Sequence, residues 1–179
     1  MLVATWNVNS LNARMPRVEP WLREVAPDVV CLQETKLADD AFPYDAFAAL
    51  GYDSVHHGEG RWNGVAILSR VGIENPIMGF ADGIEPDPDA RLVSATCGGI
   101  RIHSVYVPNG REIGHDHYHY KLSWLGRLVD HLSATASPSD DVIVAGDWNI
   151  APTDIDVWDR AMFDGATHVT EPSARPLRP

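Results

Sequence analysis

Cysteine is scarce in this 179-residue chain: there are two, Cys31 and Cys97, each inside an apolar, strand-like run. They make neither a disulfide framework nor a Cys-x-x-Cys metal pair, and read as buried thiols of a reducing compartment, which points to the cytoplasm. No apolar run approaches the roughly 20 residues needed to cross a bilayer, so no membrane association is expected. The N-terminus, Met1-Leu2-Val3-Ala4-Thr5-Trp6-Asn7, opens on strand-like sequence where a signal peptide would carry a charged and then an apolar stretch. Positive charge is short as well, 14 Lys and Arg against 25 Asp and Glu for a net charge of −11. That balance argues against a generic attraction to nucleic acid, and leaves room for a local basic surface or a carboxylate cluster that gathers a divalent cation. There is no glycine loop closed by Lys-Ser/Thr, no Gly-x-Ser-x-Gly elbow, no internal repeat and no low-complexity tract. With 45% hydrophobic residues, what is present is enough for one sizeable core, read as a single domain over 1–179.

The most telling stretch is Val142-Ile143-Val144-Ala145-Gly146-Asp147-Trp148-Asn149. Its four small or β-branched apolar residues read as a strand buried on both faces, as in a sheet covered by helices. Gly146 is expected to let the backbone turn as the strand ends. Asp147 and Asn149, two apart on extended chain, leave the same face. A carboxylate and an amide at the C-terminal end of a buried strand is where an α/β protein keeps its ligand; an ordinary Asp/Asn-rich turn is the competing reading.

From the start, a strand is expected over residues 2–8, then a helix carrying Val18, Trp21, Leu22 and Val25, its start left open by Pro20. A second buried strand over 29–32 ends in Gln33-Glu34-Thr35-Lys36. This β-α-β unit predicts parallel pairing, which brings Asn7 and Glu34 together at neighbouring strand ends. Strands at 52–57 and 65–68 form a hairpin whose glycine-rich tip carries Arg61 and Trp62, a cation beside a flat aromatic that can rest on phosphate and base. Residues 76–91 look like loop, 92–97 and 100–107 like a hairpin, and Leu122, Leu125, Leu128, Val129 and Leu132 like a helix stripe. His115, His117 and His119 alternate, but on the approach to a helix, where i and i+2 do not share a face; they read as solvated rather than metal-binding.

Five segments in order resemble the exonuclease III branch of the endonuclease/exonuclease/phosphatase family: Trp6-Asn7-Val8-Asn9-Ser10-Leu11-Asn12-Ala13-Arg14, Leu32-Gln33-Glu34-Thr35-Lys36, Asn63-Gly64-Val65-Ala66-Ile67-Leu68-Ser69-Arg70, Tyr106-Val107-Pro108-Asn109-Gly110 and Gly146-Asp147-Trp148-Asn149. The likeness runs from Val3 to about Thr170. The context Asp147-Trp148-Asn149-Ile150-Ala151-Pro152-Thr153 is closer to that branch than to the lipid and inositol phosphatases. The resemblance implies a four-layer α/β sandwich, two packed β-sheets flanked by helices. It also implies hydrolysis of DNA phosphodiesters dependent on Mg²⁺, or Mn²⁺ in its place, at 3′ ends of duplex DNA and beside abasic sites in base-excision repair, with no obligate protein partner.

By correspondence Glu34 is the principal metal ligand, with Asn7, Asp147 and Asn149 also at the metal site. Asp147 orients or deprotonates the attacking water, Tyr106 and Asn149 donate to the phosphate, and Asn109 positions it. Lys36, Arg61, Trp62 and Arg91 are candidates for contact with the DNA backbone. One departure stands out. The family continues for several tens of residues with further strands of the second sheet, a late metal-binding acid and a closing Ser-Asp-His; the chain stops at Ser173-Ala174-Arg175-Pro176-Leu177-Arg178-Pro179, and His168 does not match. The second sheet is therefore expected to be incomplete, with the 142–145 strand lacking partners, and the competing reading is a catalytically impaired remnant that binds DNA or a protein.

Overall fold

Apolar runs bounded by polar strand ends dictate the first three elements, and the computed structural model, which describes residues 1–175, bears them out. β1 (Val3–Asn7) leads through α1 (Leu11–Val25) into β2 (Val29–Gln33). β1 and β2 pair in parallel, with Asn7 opposite Gln33. The helix is longer than the sequence suggests. It begins at Leu11 and runs through Pro16 and Pro20, each of which removes a backbone donor and would break an isolated helix. Burial of Leu11, Val18 and Leu22 against the sheet outweighs that local cost. Ala26, in the left-handed conformation, closes the helix by donating to Leu22.

The chain forms two compact units, Met1–Tyr106 with Ser139–Asp147, and Val107–Pro138 with the residues from Trp148 onward. The first holds both sheets. β3 (Asp53–His57) and β4 (Val65–Ser69) are the expected hairpin, and the sheet order is β1-β2-β4-β3. The second sheet has the order β5-β6-β7-β8, from β5 (Glu74–Met78), β6 (Leu92–Cys97), β7 (Ile100–Tyr106) and β8 (Val142–Asp147). β5 corrects the loop expected from residue 76: Pro76 sits on the outer strand of the sheet, beside an irregularity in the pairing, where a missing donor is tolerated.

Alternation along the strands divides the apolar residues between two cores. Val29, Cys31, Val55, Val65 and Ile67 face Val93, Ala95, Cys97 and Ile102 between the sheets. Val30, Leu32, Ala66 and Leu68 point the other way and pack with Leu11, Val18 and Leu22 of α1 and Phe47 of α2 (Tyr44–Ala48). Burial of each such aliphatic side chain contributes about 1.5–3 kcal/mol. Both cysteines are buried free thiols, and burial pushes the Cys31 thiol up to about 12. The second unit is built on α3 (Asp116–Thr135), which buries Tyr118, Lys121, Trp124, Leu125, Leu128 and His131. Val129, expected in the stripe, is exposed. His115 caps this helix by accepting from the His117 backbone.

β8 was expected to be buried on both faces. Instead all six of its residues are half-buried, and among the described residues it pairs with β7 alone. Ile143 and Ala145 pack into the intersheet core, so Val142 and Val144 take the other face. An unpaired apolar edge templates association. Residues 1–179 are expected to show concentration-dependent self-association by light scattering, relieved by Val144→Lys; a strict monomer at high concentration would contradict this.

Candidate active site

Four strands of the first unit, β1, β2, β7 and β8, end beside one another, and their last residues make one network. Because β1 and β2 run in parallel, Asn7 and the residue after Gln33 emerge side by side. Parallel pairing of β7 with β8 does the same for Tyr106 and Asp147. The Asn7 amide donates from Nδ2 to Glu34 Oε1 and to Asp147 Oδ2, each at 2.8 Å. Its Oδ1 accepts from the Asn9 backbone at 3.0 Å. Tyr106 donates from its hydroxyl to Glu34 Oε1 at 3.0 Å. Lys36 Nζ lies 3.0 Å from Glu34 Oε2 and also donates to Asn9 Oδ1.

Glu34 reaches this point on strained backbone. Glu34 and Lys36 have φ of 53° and 54°, left-handed conformations that cost a non-glycine residue about 1–2 kcal/mol. Surrounding bonds over-determine them. The Glu34 carbonyl accepts from Ser10 at 2.7 Å, that of Thr35 from Leu11 at 3.0 Å, while Thr35 and Lys36 donate to Gly64 and Asn63 at 3.1 and 3.0 Å. A Cβ on Gly64 would sit 2.1 Å from Thr35 Oγ1, which explains the glycine after Asn63. The Thr35 hydroxyl bonds His56 Nε2 at 2.8 Å, and His56, stacked on Phe42 at 4.3 Å, has its Nδ1 2.8 Å from Asp39 Oδ1.

Burial holds the His56 ring down to about 4 from the ordinary 6.5, more than the nearby Asp39 raises it. The unfolded chain binds this proton near 6.5 and the folded one only near 4. Its contribution is therefore complete above pH 6.5 and lost as pH falls from 6.5 to 4, in all about 3 kcal/mol. Chemical denaturation across that range should show the decline, and His56→Gln should flatten it; an equally steep curve in the variant would assign the decline elsewhere.

For Glu34, burial pushes the carboxyl up, but donation from Asn7, Lys36 and Tyr106 together outweighs it, and the group lies below its ordinary value as a carboxylate. Tyr106 moves the opposite way. Burial first, then the charge of Glu34, raises its phenol, so it is a proton donor in this network. Arg91 is not the surface contact expected from sequence. Its side chain is 8% exposed, the guanidinium lies 4.7 Å from the Tyr106 ring centre, and it donates to the Tyr106 carbonyl at 3.2 Å and to Asp89 at 2.8 Å. It holds Tyr106 by cation–π and main-chain contact. Arg61 and Trp62 are exposed on the β3–β4 loop, with Trp62 65% exposed. Glu59 braces that loop by accepting from Asn63 and from the Ala90 backbone.

Asn7 links the two carboxylates: its amide hydrogens face both, and its oxygen accepts from the Asn9 backbone. Gly146 does not end its strand: β8 continues to Asp147, and a Cβ at 146 would fall 1.9 Å from the Val105 carbonyl oxygen. The glycine is there for close approach of β7.

The second unit holds the remaining candidates. Asn109 Nδ2 is 3.2 Å from both Asn149 Oδ1 and His168 Nε2. Asn149 donates to the Val107 carbonyl at 2.9 Å. His168, set aside in the sequence, thus joins this polar group. Lys121 was missed entirely; its one signal is its place three residues after Tyr118 and four before Leu125 on the buried face of α3.

Among the described residues no group of three or more His, Cys, Asp or Glu side chains is placed to hold a metal. The sequence matches the endonuclease/exonuclease/phosphatase family over residues 4–178. It is 32% identical over 162 residues to exodeoxyribonuclease III of Haemophilus influenzae, covering 88% of this chain and 60% of that protein. To an exodeoxyribonuclease of Bacillus subtilis it is 31% identical over 163 residues, covering 88% and 62%. The chain therefore spans about three fifths of the length of the curated relatives it matches. An AP endonuclease of Archaeoglobus fulgidus superposes with a TM-score of 0.93 at 38% identity, covering 98% of this chain and 68% of its own. The 3′-5′ exonuclease of Neisseria meningitidis gives 0.93 at 34% identity, covering 99% and 69%. The two-sheet α/β architecture is shared with these structures, and the chain belongs to the endonuclease/exonuclease/phosphatase family.

Proposed function

We propose that this chain carries the catalytic residues of a divalent-cation-dependent DNA phosphodiester hydrolase of base-excision repair, a cytoplasmic enzyme removing nucleotides from 3′ ends of duplex DNA and incising beside abasic sites. The supporting observation is the Glu34–Asn7–Asp147 linkage, which holds two carboxylates together at the ends of parallel strands. The relatives named above are exonucleases and an AP endonuclease, in keeping with that substrate.

Two carboxylates fixed side by side suit a hard cation that keeps several waters, Mg²⁺ or Mn²⁺, with Glu34 and Asp147 as the ligands the donor set offers. Such an ion neutralises phosphate charge and lowers the pKa of bound water. Asp147 orients the attacking water and accepts its proton. Asn7 keeps the two carboxylates in register, and Tyr106 holds Glu34 through its hydroxyl while Arg91 fixes the Tyr106 ring. Asn109 and Asn149 supply carboxamide donors for phosphate oxygens; Lys36, Arg61 and Trp62 are the candidates for backbone and base contact.

Single-turnover incision of an abasic-site duplex with Mg²⁺ tests the reading. Asp147→Asn should lower the rate by about 10²–10⁴-fold with little change in melting temperature, and EDTA should abolish incision of the parent. Parent activity untouched by EDTA would overturn the proposal. The half-buried β8, which carries Asp147 at its end, favours a second reading, a segment that binds abasic DNA without cutting it. Metal-independent binding with no incision would support that one.

A further inference from the structure

We propose that Lys121 is a positioning residue that sets the Asn109 and Asn149 carboxamides. The side chain is fully buried. Nζ donates to the main-chain carbonyls of Asn149 at 2.6 Å, Thr167 at 3.3 Å and Asn109 at 3.4 Å. A buried ammonium persists only where polar partners replace its water. Here the partners come from three loop segments far apart in sequence. Each carries one member of the polar trio or stands next to it: Asn109, Asn149, and Thr167 beside His168.

The loops need such a clamp. Asn149 and Arg111 have φ of 47° and 56°, positions that survive only where neighbours over-determine them. Gly110 clears the path of the lysine stem: a Cβ there would meet Lys121 Cδ at 3.0 Å and Thr167 Cβ at 3.1 Å. Thr167 adds a hydroxyl donor to the Asn109 carbonyl at 2.7 Å. The carboxamides then lock one another, Asn109 donating to Asn149 and Asn149 to Val107. A methionine at 121 would fill the space but leave three carbonyls without their common donor.

What the carboxamides do to a phosphate rests on the function proposed above; their placement is read without DNA. In isotope-labelled residues 1–179 at pH 7, the Lys121 ammonium should give a slowly exchanging signal, coupled through hydrogen bonds to the carbonyl carbons of 109, 149 and 167. Lys121→Met should move the Asn109 and Asn149 side-chain amide signals to solvent-exposed values while the strand amides hold, and Lys121→Arg should restore part of the shift. Lys121→Met should also weaken binding of an abasic-site duplex about 10-fold, with little further loss in an Asn149→Ala background. Rapid exchange of the Lys121 ammonium, or unmoved carboxamide signals in a folded Lys121→Met, would overturn the inference. If Lys121→Met does not fold, the measurement on the parent decides. Absence of DNA binding by the parent counts against the proposed function, and the signals still judge Lys121.

Discussion

Gly146→Ala should be the most damaging small substitution in the chain, lowering stability by about 3 kcal/mol or more and the melting temperature by roughly 10 °C. The reason is geometric. The added carbon would sit 1.9 Å from the Val105 carbonyl oxygen and 2.8 Å from its carbon. Both are backbone atoms of the neighbouring strand, so no rotamer change relieves the clash. β8 must move away from β7, taking Asp147 with it and lengthening the 2.8 Å bond from Asn7. The loss should therefore appear twice, in thermal melts and in an incision rate that falls beyond what the melting shift explains. A variant melting within 2 °C of the parent, a margin of about 1 kcal/mol or less, would mean that the two strands can part at little cost.

Asn7→Asp should be nearly as severe in EDTA and should recover on adding a cation. The substitution keeps the shape of the side chain but replaces the two donated hydrogen bonds with a third negative group between Glu34 and Asp147. Loss of two bonds to charged acceptors, with repulsion added, costs about 3–5 kcal/mol. The same change makes a three-carboxylate cluster, a better host for Mg²⁺. Melting in EDTA and then in Mg²⁺ separates the effects: the metal-induced rise should exceed the parent's by several degrees. An equal rise in both proteins would show that the carboxylate pair is not where the cation binds.

Strand ends were legible because their chemistry and their periodicity agree. An apolar run closing on Asn7, on Glu34 or on Asp147 announces both the strand and the group it presents, and parallel pairing supplies their proximity. Cation placement was illegible. Lys121 drew no reading and Arg91 read as a DNA-backbone contact, yet one ends among three carbonyls and the other against an aromatic ring; only tertiary contact decides that. Pro20 blurred a helix that packing carries through, and the loop expected from residue 76 overlapped an outer strand, β5, whose Pro76 needs no donor there. For Gly146 the residue was right and the reason wrong, because the approach of Val105 has no local signature. The carboxamides of Asn109 and Asn149 were expected to face a phosphate; their mutual bond and the part of His168 depend on loops that carry no periodic pattern.

The bond between Asn7 and Asp147 spans 140 residues, and that separation sets a timetable. During synthesis Asn7 and Glu34 emerge early, in a β-α-β segment whose contacts are local enough to form first. The second carboxylate arrives only once the ribosome has released the strand containing it, and joining the ends of so long a loop is the slow, entropically costly step. A half-made chain thus holds an acid and its amide but no pair of acids until β8 docks.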